Sequence, residues 1–534
     1  MKEFDYIVVG GGAGGCAVAG RLSEDPAVSV CLLEAGKDDA QLLIKVPFCT
    51  ALMLPTPINN WAFETVPQPG LNGRRGYMPR GKALGGSTSI NAMVYTRGHP
   101  WDYDHWAALG NAGWSWRDVL PYFRKSEHNE KFGGEDHGQG GPLNVADLRS
   151  MNPFQQIYLE AARQTGFKLI EDFNGADQEG IGIYQVMQKN GERWNAARAY
   201  LAPHLASRPN LTVITQARAR RVLFDGKRAS GVEFEQGGEI QTFRAKREVI
   251  LTAGAIQSPQ LLMLSGIGAG AELQQYGIPV IHDLPGVGKN LQDHPDYVFN
   301  YRAKSLDLLG ISLGGSLQMI KEIGRYRRER TGMMTSNGAE GGGFLRRFAD
   351  SPAPEYQLHF VIGMIDNHAR KLHLGHGYSC HICLLRPKSV GTLALASADP
   401  LAAPRIDPNF FGHADDLEAM VDGFKLTRKL MDAPILAGIR TGEVYTQGIH
   451  SDDAIREELR TRADTIYHPV GTCKMGGDAM AVVDSRLRVH GLEGLRVVDA
   501  SIMPTLIGGN TTAPTLMIAE KAAEMIRSDA ARAG

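Results

Sequence analysis

Residues 6–34 constrain this chain more than any other stretch. Tyr6-Ile7-Val8-Val9 is a short β-branched apolar run, the pattern of a buried parallel strand. Gly10-Gly11-Gly12-Ala13-Gly14-Gly15 follows, then small and apolar residues from Cys16 to Leu22 that suit a helix. A second apolar strand, Val28 to Leu33, ends on Glu34. Strand, glycine turn, helix, strand and acid make a βαβ unit. Gly10, Gly12 and Gly15 give G-x-G-x-x-G: the first allows a tight turn, the second lets a pyrophosphate approach the backbone, and the third lets helix and strand pack closely. The helix N-terminus offers N–H donors and a positive dipole end. Glu34 lies about 20 residues on, where a carboxylate accepts a hydrogen bond from a ribose hydroxyl. A glycine turn that served packing alone would leave that acid unexplained. An acid there disfavours a ribose 2′-phosphate, but it does not separate NAD from FAD, since both carry free ribose hydroxyls.

At 534 residues the chain spans several times the ~150 residues of one domain and can bury a large core without disulfides. Its 57 basic and 58 acidic residues leave a net charge of −1, which argues against nucleic-acid binding by bulk charge. The 63 glycines exceed the usual ~7% and cluster rather than repeat, so collagen and low-complexity linkers are excluded. Six cysteines are too sparse for a disulfide scaffold. No secretory signal and no run of about 18 apolar residues is seen, so cytoplasmic residence is expected.

Strand patterns return at 211–215, 220–224, 231–234 and 248–254, and again at 495–499. Nucleotide-domain strands therefore arise early, mid-chain and late. The expected fold is α/β (α+β overall), with a discontinuous Rossmann-like domain from 1–150, 201–295 and 461–534. Residues 151–200 and 296–460 would form a second domain on an antiparallel sheet. The proline-rich stretch 47–79 reads as an irregular surface connection, and the polar, glycine-rich stretch 128–142 as a long loop, mobile or covering a pocket. Gly81 to Asn91 is a second glycine turn whose N–H groups suit an anion or a flat ring. Gly254 to Gly268 reads as a turn and a helix ended by glycine.

Those last two segments resemble the two signature motifs of the glucose–methanol–choline (GMC) flavin oxidoreductases. Tyr467-His468-Pro469-Val470-Gly471-Thr472-Cys473 and Gly509-Asn510-Thr511-Thr512-Ala513-Pro514-Thr515 resemble that family's active-site segments, and the likeness runs from residue 4 to about 527. Acceptor-linked bacterial alcohol dehydrogenases come nearest, followed by choline dehydrogenases; Asn190 to Asn195 and Tyr378 to Gly391 support the former. The resemblance implies FAD, and oxidation of primary alcohols to aldehydes with the electrons passed to an external acceptor. It makes His468 the base that removes the hydroxyl proton as hydride leaves for flavin N5, and Asn510 its partner. An imidazole near neutral pKa suits that task. An amide N–H holds a developing alkoxide without a competing proton. The helix starting after Asn510 would favour negative charge on reduced flavin.

The resemblance also implies cofactor contacts from Gly10, Gly12, Ala13, Gly14, Gly15, Glu34, Ala35 and Trp61. Further contacts are expected from Arg80, Gly81, Gly85, Gly86, Ser87, Asn91, Ala92, Met93 and Val94, and from Ala219, Ala253, Gly254, Asp499, Ala500, Asn510, Thr511 and Thr512. Some relatives attach FAD through a His at the position of Asn91; an amide cannot, so non-covalent FAD is expected. Glu340 matches a cavity carboxylate of choline enzymes, with a carboxylate held by neighbouring N–H groups as the alternative. Ile466, Tyr467 and Val470 would line the substrate cavity.

Cys380-His381-Ile382-Cys383 invites a zinc reading, but a strand points residues three apart to opposite faces, so no metal site is expected. The basic run Lys321, Arg325, Arg327, Arg328 and Arg330 reads as a solvated helical face. The alternative is peripheral docking at the inner face of an anionic membrane, where quinone acceptors reside. Choline, polyethylene glycols and aryl or hydroxymethyl compounds are alternative substrates, and oxygen or a quinone alternative acceptors. The remote alternative is an FAD-containing hydroxynitrile lyase. An NAD-linked dehydrogenase leaves 81–91 and 254–268 without a purpose, and no G-x-S-x-G points to a serine hydrolase.

Overall fold

The computed structural model describes residues 2–533. The apolar run near the N-terminus forms strand β1 (Lys2–Val9), followed by helix α1 (Ala13–Leu22) and β2 (Val30–Leu33). The later strands are β3 (Leu211–Ile214), β4 (Ala217–Asp225), β5 (Arg228–Gln236) and β6 (Glu239–Leu251). One sheet takes the order β3-β2-β1-β6-β5-β4, and strand Leu495–Val497 pairs with β6. β3, β2, β1, β6 and Leu495–Val497 run parallel, while β4 and β5 extend the sheet as antiparallel strands. Val8 pairs with Leu32 on one side and Ile250 on the other, so Val9, Leu33 and Leu251 finish level. The residues after them face one crevice, where ligands of parallel sheets bind.

The second sheet is antiparallel and has the order Arg440–Val444, β7 (Pro295–Ala303), β10 (Gly375–Leu384), β9 (Tyr356–Val361), β8 (Gly341–Leu345) and Gly180–Ile183. The fold is thus the mixed α/β arrangement expected. Each sheet carries its own apolar core. Side chains between Val186 and Tyr200, and between Leu393 and Ile406, pack into the first core, although both stretches lie within the residues expected for the second domain. The first does so because Gly20 lets α1 approach closely: a Cβ there would meet the Tyr200 carbonyl at 2.7 Å.

The stretch 47–79 contains short helical turns (Pro47–Cys49, Thr50–Met53) and a two-stranded ladder rather than a plain connection. The loop at 128–142 is pinned. His137 is buried and meets Glu127 at 3.1 Å and Asp172 at 2.9 Å. Burial pulls its pKa down, but the hydrogen bonds to the two carboxylates prevail and carry it to about 9. Cys380 and Cys383 enter different apolar clusters, as alternation along β10 requires. Among the described residues no helix is long and apolar enough to cross a membrane.

Candidate active site

The crevice beyond the first sheet is a cavity lined by Gly10, Gly12, Ala13 and Gly14 after β1, and by Glu34 and Ala35 after β2. Ala253 and Gly254 enter after β6, and Asp499 and Ala500 after the strand Leu495–Val497. Helix α1 begins at the cavity with no side-chain cap and no acid in its first turn, so its N–H groups are available to an anion. A Cβ on Gly14 would sit 2.2 Å from the Val498 carbonyl, and one on Gly15 1.9 Å from that of Gly10. At Gly12 the nearest atom to an added Cβ is 3.9 Å away. Gly14 and Gly15 are therefore required by packing, whereas Gly12 is kept bare towards the cavity. The second glycine turn closes against the first: Gly85 N–H donates to the Gly11 carbonyl at 2.7 Å, and a Cβ on Gly86 would meet Gly12 Cα at 2.7 Å.

Glu34 accepts N–H bonds from Gly11 (2.8 Å) and Gly36 (2.7 Å), one on each oxygen, leaving a second lone pair on each. Burial raises its pKa to about 7. Trp61 stacks on Phe63, with Lys82 and Arg218 over its ring at 4.4 and 5.1 Å. Asp499 accepts from Gly254 N–H at 2.9 Å and Ser501 N–H at 2.8 Å, tying the late strand to the start of helix α2 (Gly254–Leu264).

A second cavity adjoins the first through shared residues Arg80, Ser87, Thr511 and Thr512. Its walls are largely apolar: Phe48, Leu54, Ile90, Met93, Val94, Leu309, Val361, Ile365 and Ile466. His468 and Asn510 meet there, with Nε2 of the imidazole 3.2 Å from the amide Nδ2. Two donors orient the amide: Thr96 Oγ1 and Gln357 Nε2 both give hydrogen bonds to Asn510 Oδ1, at 3.1 and 3.0 Å. Nδ2 is thereby turned to His468.

The imidazole is oriented from behind. His294 Nε2 lies 3.1 Å from the carbonyls of both Leu385 and Ile507, which can only accept, so Nε2 carries the proton. His294 Nδ1 is then a bare acceptor, 3.0 Å from His468 Nδ1. The His468 proton sits on Nδ1, leaving Nε2 unprotonated and open to the cavity. Burial, then His294, His359 and Arg80, hold the His468 pKa well below its ordinary value. Burial lowers His294 to about 3. Asp293 fixes both backbones, its Oδ1 accepting the N–H of His294 and of His468 at 2.9 Å each.

Comparisons with known families and proteins bear on this geometry. Models of the GMC oxidoreductase N- and C-terminal domains match residues 4–296 and 387–519. The chain belongs to the GMC oxidoreductase family. Among GMC relatives, the alcohol dehydrogenase (acceptor) of Pseudomonas putida is 47% identical, covering 98% of this chain and 95% of its own. The oxygen-dependent choline dehydrogenase of Burkholderia multivorans is 43% identical over 98% of this chain and 94% of its own. The crystal structure of pyridoxine 4-oxidase from Mesorbium loti superposes with a TM-score of 0.87 at 30% identity, covering 98% of each chain. Like other GMC enzymes, this one is an FAD-dependent oxidoreductase acting on alcohols, with a small-molecule substrate and an electron acceptor.

The residues fit that cofactor: a bare Gly12, an uncapped helix end and a carboxylate with spare lone pairs lie along one cavity. Most of the GMC-implied contacts line it, among them Trp61, Arg80, Gly81, Gly86, Ser87, Ala219, Thr511 and Thr512. Gly15 and Gly85 are not among the lining residues; they set the turns behind it. Asn91, Ala92, Met93 and Val94 line the second cavity instead. Asn91 donates to Thr512 Oγ1 at 3.2 Å and accepts from Arg193 at 2.9 Å. Ile466 and Tyr467 line that cavity, but Val470 is in the first core, paired through its backbone with Gln292. Glu340 also lies outside the lining. Its carboxylate accepts from Ser336 Oγ at 2.5 Å and from the N–H of the distant Asn152 at 2.9 Å, rather than from neighbouring N–H groups. Asp293, His294, His359 and Arg218 went unnoticed in the sequence, where no motif assigns them a task, and His381 was weighed only as a zinc ligand.

Proposed function

We propose that this enzyme oxidises uncharged primary alcohols with apolar chains to aldehydes, His468 taking the hydroxyl proton and Asn510 holding the oxygen. The observation that carries the reading is the bare Nε2 of His468, 3.2 Å from the Asn510 amide, in an apolar cavity that adjoins the dinucleotide cavity. FAD, bound without a covalent link, supplies the acceptor for the hydride. Before reaction His468 is neutral because burial, then His294, His359 and Arg80, disfavour its charged form, and its Nδ1–H stays on the His294 acceptor while Nε2 gains the substrate proton. The Asn510 N–H is poised to stabilise charge on the oxygen before that transfer is complete.

Among the described residues no carboxylate lines the second cavity. Asp296 lies behind His381, which it meets at 2.7 Å, and Glu340 is turned to Ser336. A quaternary ammonium therefore finds no counter-charge, which favours an alkanol over choline. The acceptor is external: a quinone, oxygen or another carrier. Residence in the cytoplasm with peripheral contact at the membrane fits this reading. Anaerobic mixing with a panel of alcohols tests it: bleaching of the visible flavin band by alkanols, with choline much slower, is expected. An unchanged spectrum with every alcohol would favour a lyase.

A further inference from the structure

Among the described residues the six most exposed large hydrophobic side chains are Leu42, Leu313, Leu317, Ile320, Leu372 and Leu374, from 63% for Leu317 to 81% for Leu313. They are far apart in sequence yet fall on neighbouring segments. Leu313, Leu317 and Ile320 follow the i, i+4, i+7 spacing along one face of helix α3 (Leu313–Glu329). The opposite face, through Met319 and Tyr326, packs on Leu43, Val46 and Phe48, just past Leu42. Leu374 forms a backbone bridge with Ile311, and Ser312 at the start of α3 is 2.7 Å from His376. Isolated exposed leucines need no explanation; a cluster of this kind does.

The same face is basic. Residues 304–330 hold six Lys or Arg and three acids. Lys304, Lys321, Arg327 and Arg328 have no carboxylate in salt-bridge reach among the described residues. At about 100° per residue, Arg327 and Arg328 fall on the same side of α3 as the three apolar chains. Segments that carry this face also contribute to the lining of the second cavity. Phe48, Ala51 and Leu54 line it, and Ala51 is exposed as well, as is Leu52 beside it. Leu309 lines it between exposed Leu306 and Ile311, and His368 and Ala369 line it just before Leu372.

We propose that this face docks on a bilayer of anionic phospholipid, α3 lying in the interface with its leucines among the acyl chains and its arginines at the headgroups. The mouth of the alcohol cavity then opens towards the lipid, so that an alcohol dissolved there enters without crossing water. The delivery step rests on the alcohol reading above; the docking does not.

The test uses the FAD-loaded full chain and vesicles of phosphatidylcholine with and without phosphatidylglycerol. Sedimentation with the anionic vesicles, weakening as salt is raised, is expected. The variant Leu313→Glu/Leu317→Glu/Ile320→Glu changes only exposed side chains and should bind about tenfold or more weakly. It should retain flavin reduction by a short, water-soluble alcohol and lose rate only with a long-chain alcohol presented in vesicles. Lys321→Gln/Arg327→Gln/Arg328→Gln should lose the preference for phosphatidylglycerol. The proposal is overturned if the parent stays in the supernatant at low salt, or if the glutamate variant sediments as the parent does. It is also overturned if the parent elutes as a dimer that the glutamate variant abolishes, since a second copy would then cover the face. Failure of every alcohol to bleach the flavin would sink the alcohol reading while leaving the sedimentation result intact.

Discussion

His468 owes the free lone pair on its Nε2 to its neighbours rather than to its place in the chain. Two carbonyls set the proton of His294, His294 sets that of His468, and two donors set the Asn510 amide. Removing the imidazole (His468→Ala) should slow flavin reduction by alcohol about 10²–10⁴-fold, the scale of general base catalysis, with FAD still bound; stopped-flow spectroscopy checks both. Its pKa lies well below 6.5, so the neutral base persists as pH falls through that value. kcat/KM should therefore stay level from pH 8 to below 6.5 and drop only at the depressed pKa. A half-maximal rate near 6.5 would place the ring in water. His294→Phe removes the acceptor behind Nδ1, and we expect reduction about 10–100-fold slower, equivalent to about 1.4–2.7 kcal/mol. Its acid limb should move as well, which a change confined to stability would not do. His468 and Asn510 were legible because each lies in a segment of recognisable pattern. His294 was not, since its task depends on the Leu385 and Ile507 carbonyls, which are distant in sequence.

At the scale of elements, the two glycine turns were legible as turns but not as one object. Only the fold shows that Gly85 bonds to Gly11 and that Gly86 faces Gly12. It also divides the glycines by task. Gly14→Ala should destabilise the protein by about 1–3 kcal/mol through the clash with Val498, seen as a lower melting temperature. Gly12→Ala has room and an ordinary φ of −80°, so the protein should fold normally and melt near the parent apoprotein while FAD binding weakens. Titration with FAD separates the two cases. The parallel strands were legible from their β-branched runs. The boundaries between the two cores were not, because small-residue contacts such as that of Gly20 with Tyr200 carry no hydrophobic period.

For the whole molecule, the Rossmann-like half and the antiparallel sheet were both expected, and both are present. What the sequence left hidden is which carboxylates face the substrate: Glu340 and Asp296 are matched with Ser336 and His381 through contacts that only folding creates. Asn91, held between Thr512 and Arg193, has no nucleophilic atom to offer. Acid precipitation should accordingly leave the yellow colour in the supernatant; a coloured pellet would mean a covalent bond. The Asp293 carboxylate holds the backbones of His294 and His468 where the chain leaves the first core for β7, with Pro295 paired to Thr465. His468 is thus fastened to the seam between the two halves. Both imidazoles sit on segments that Asp293 and the Pro295–Thr465 pairing hold as one piece, so a hinge movement of the two halves would carry His468 and its support together.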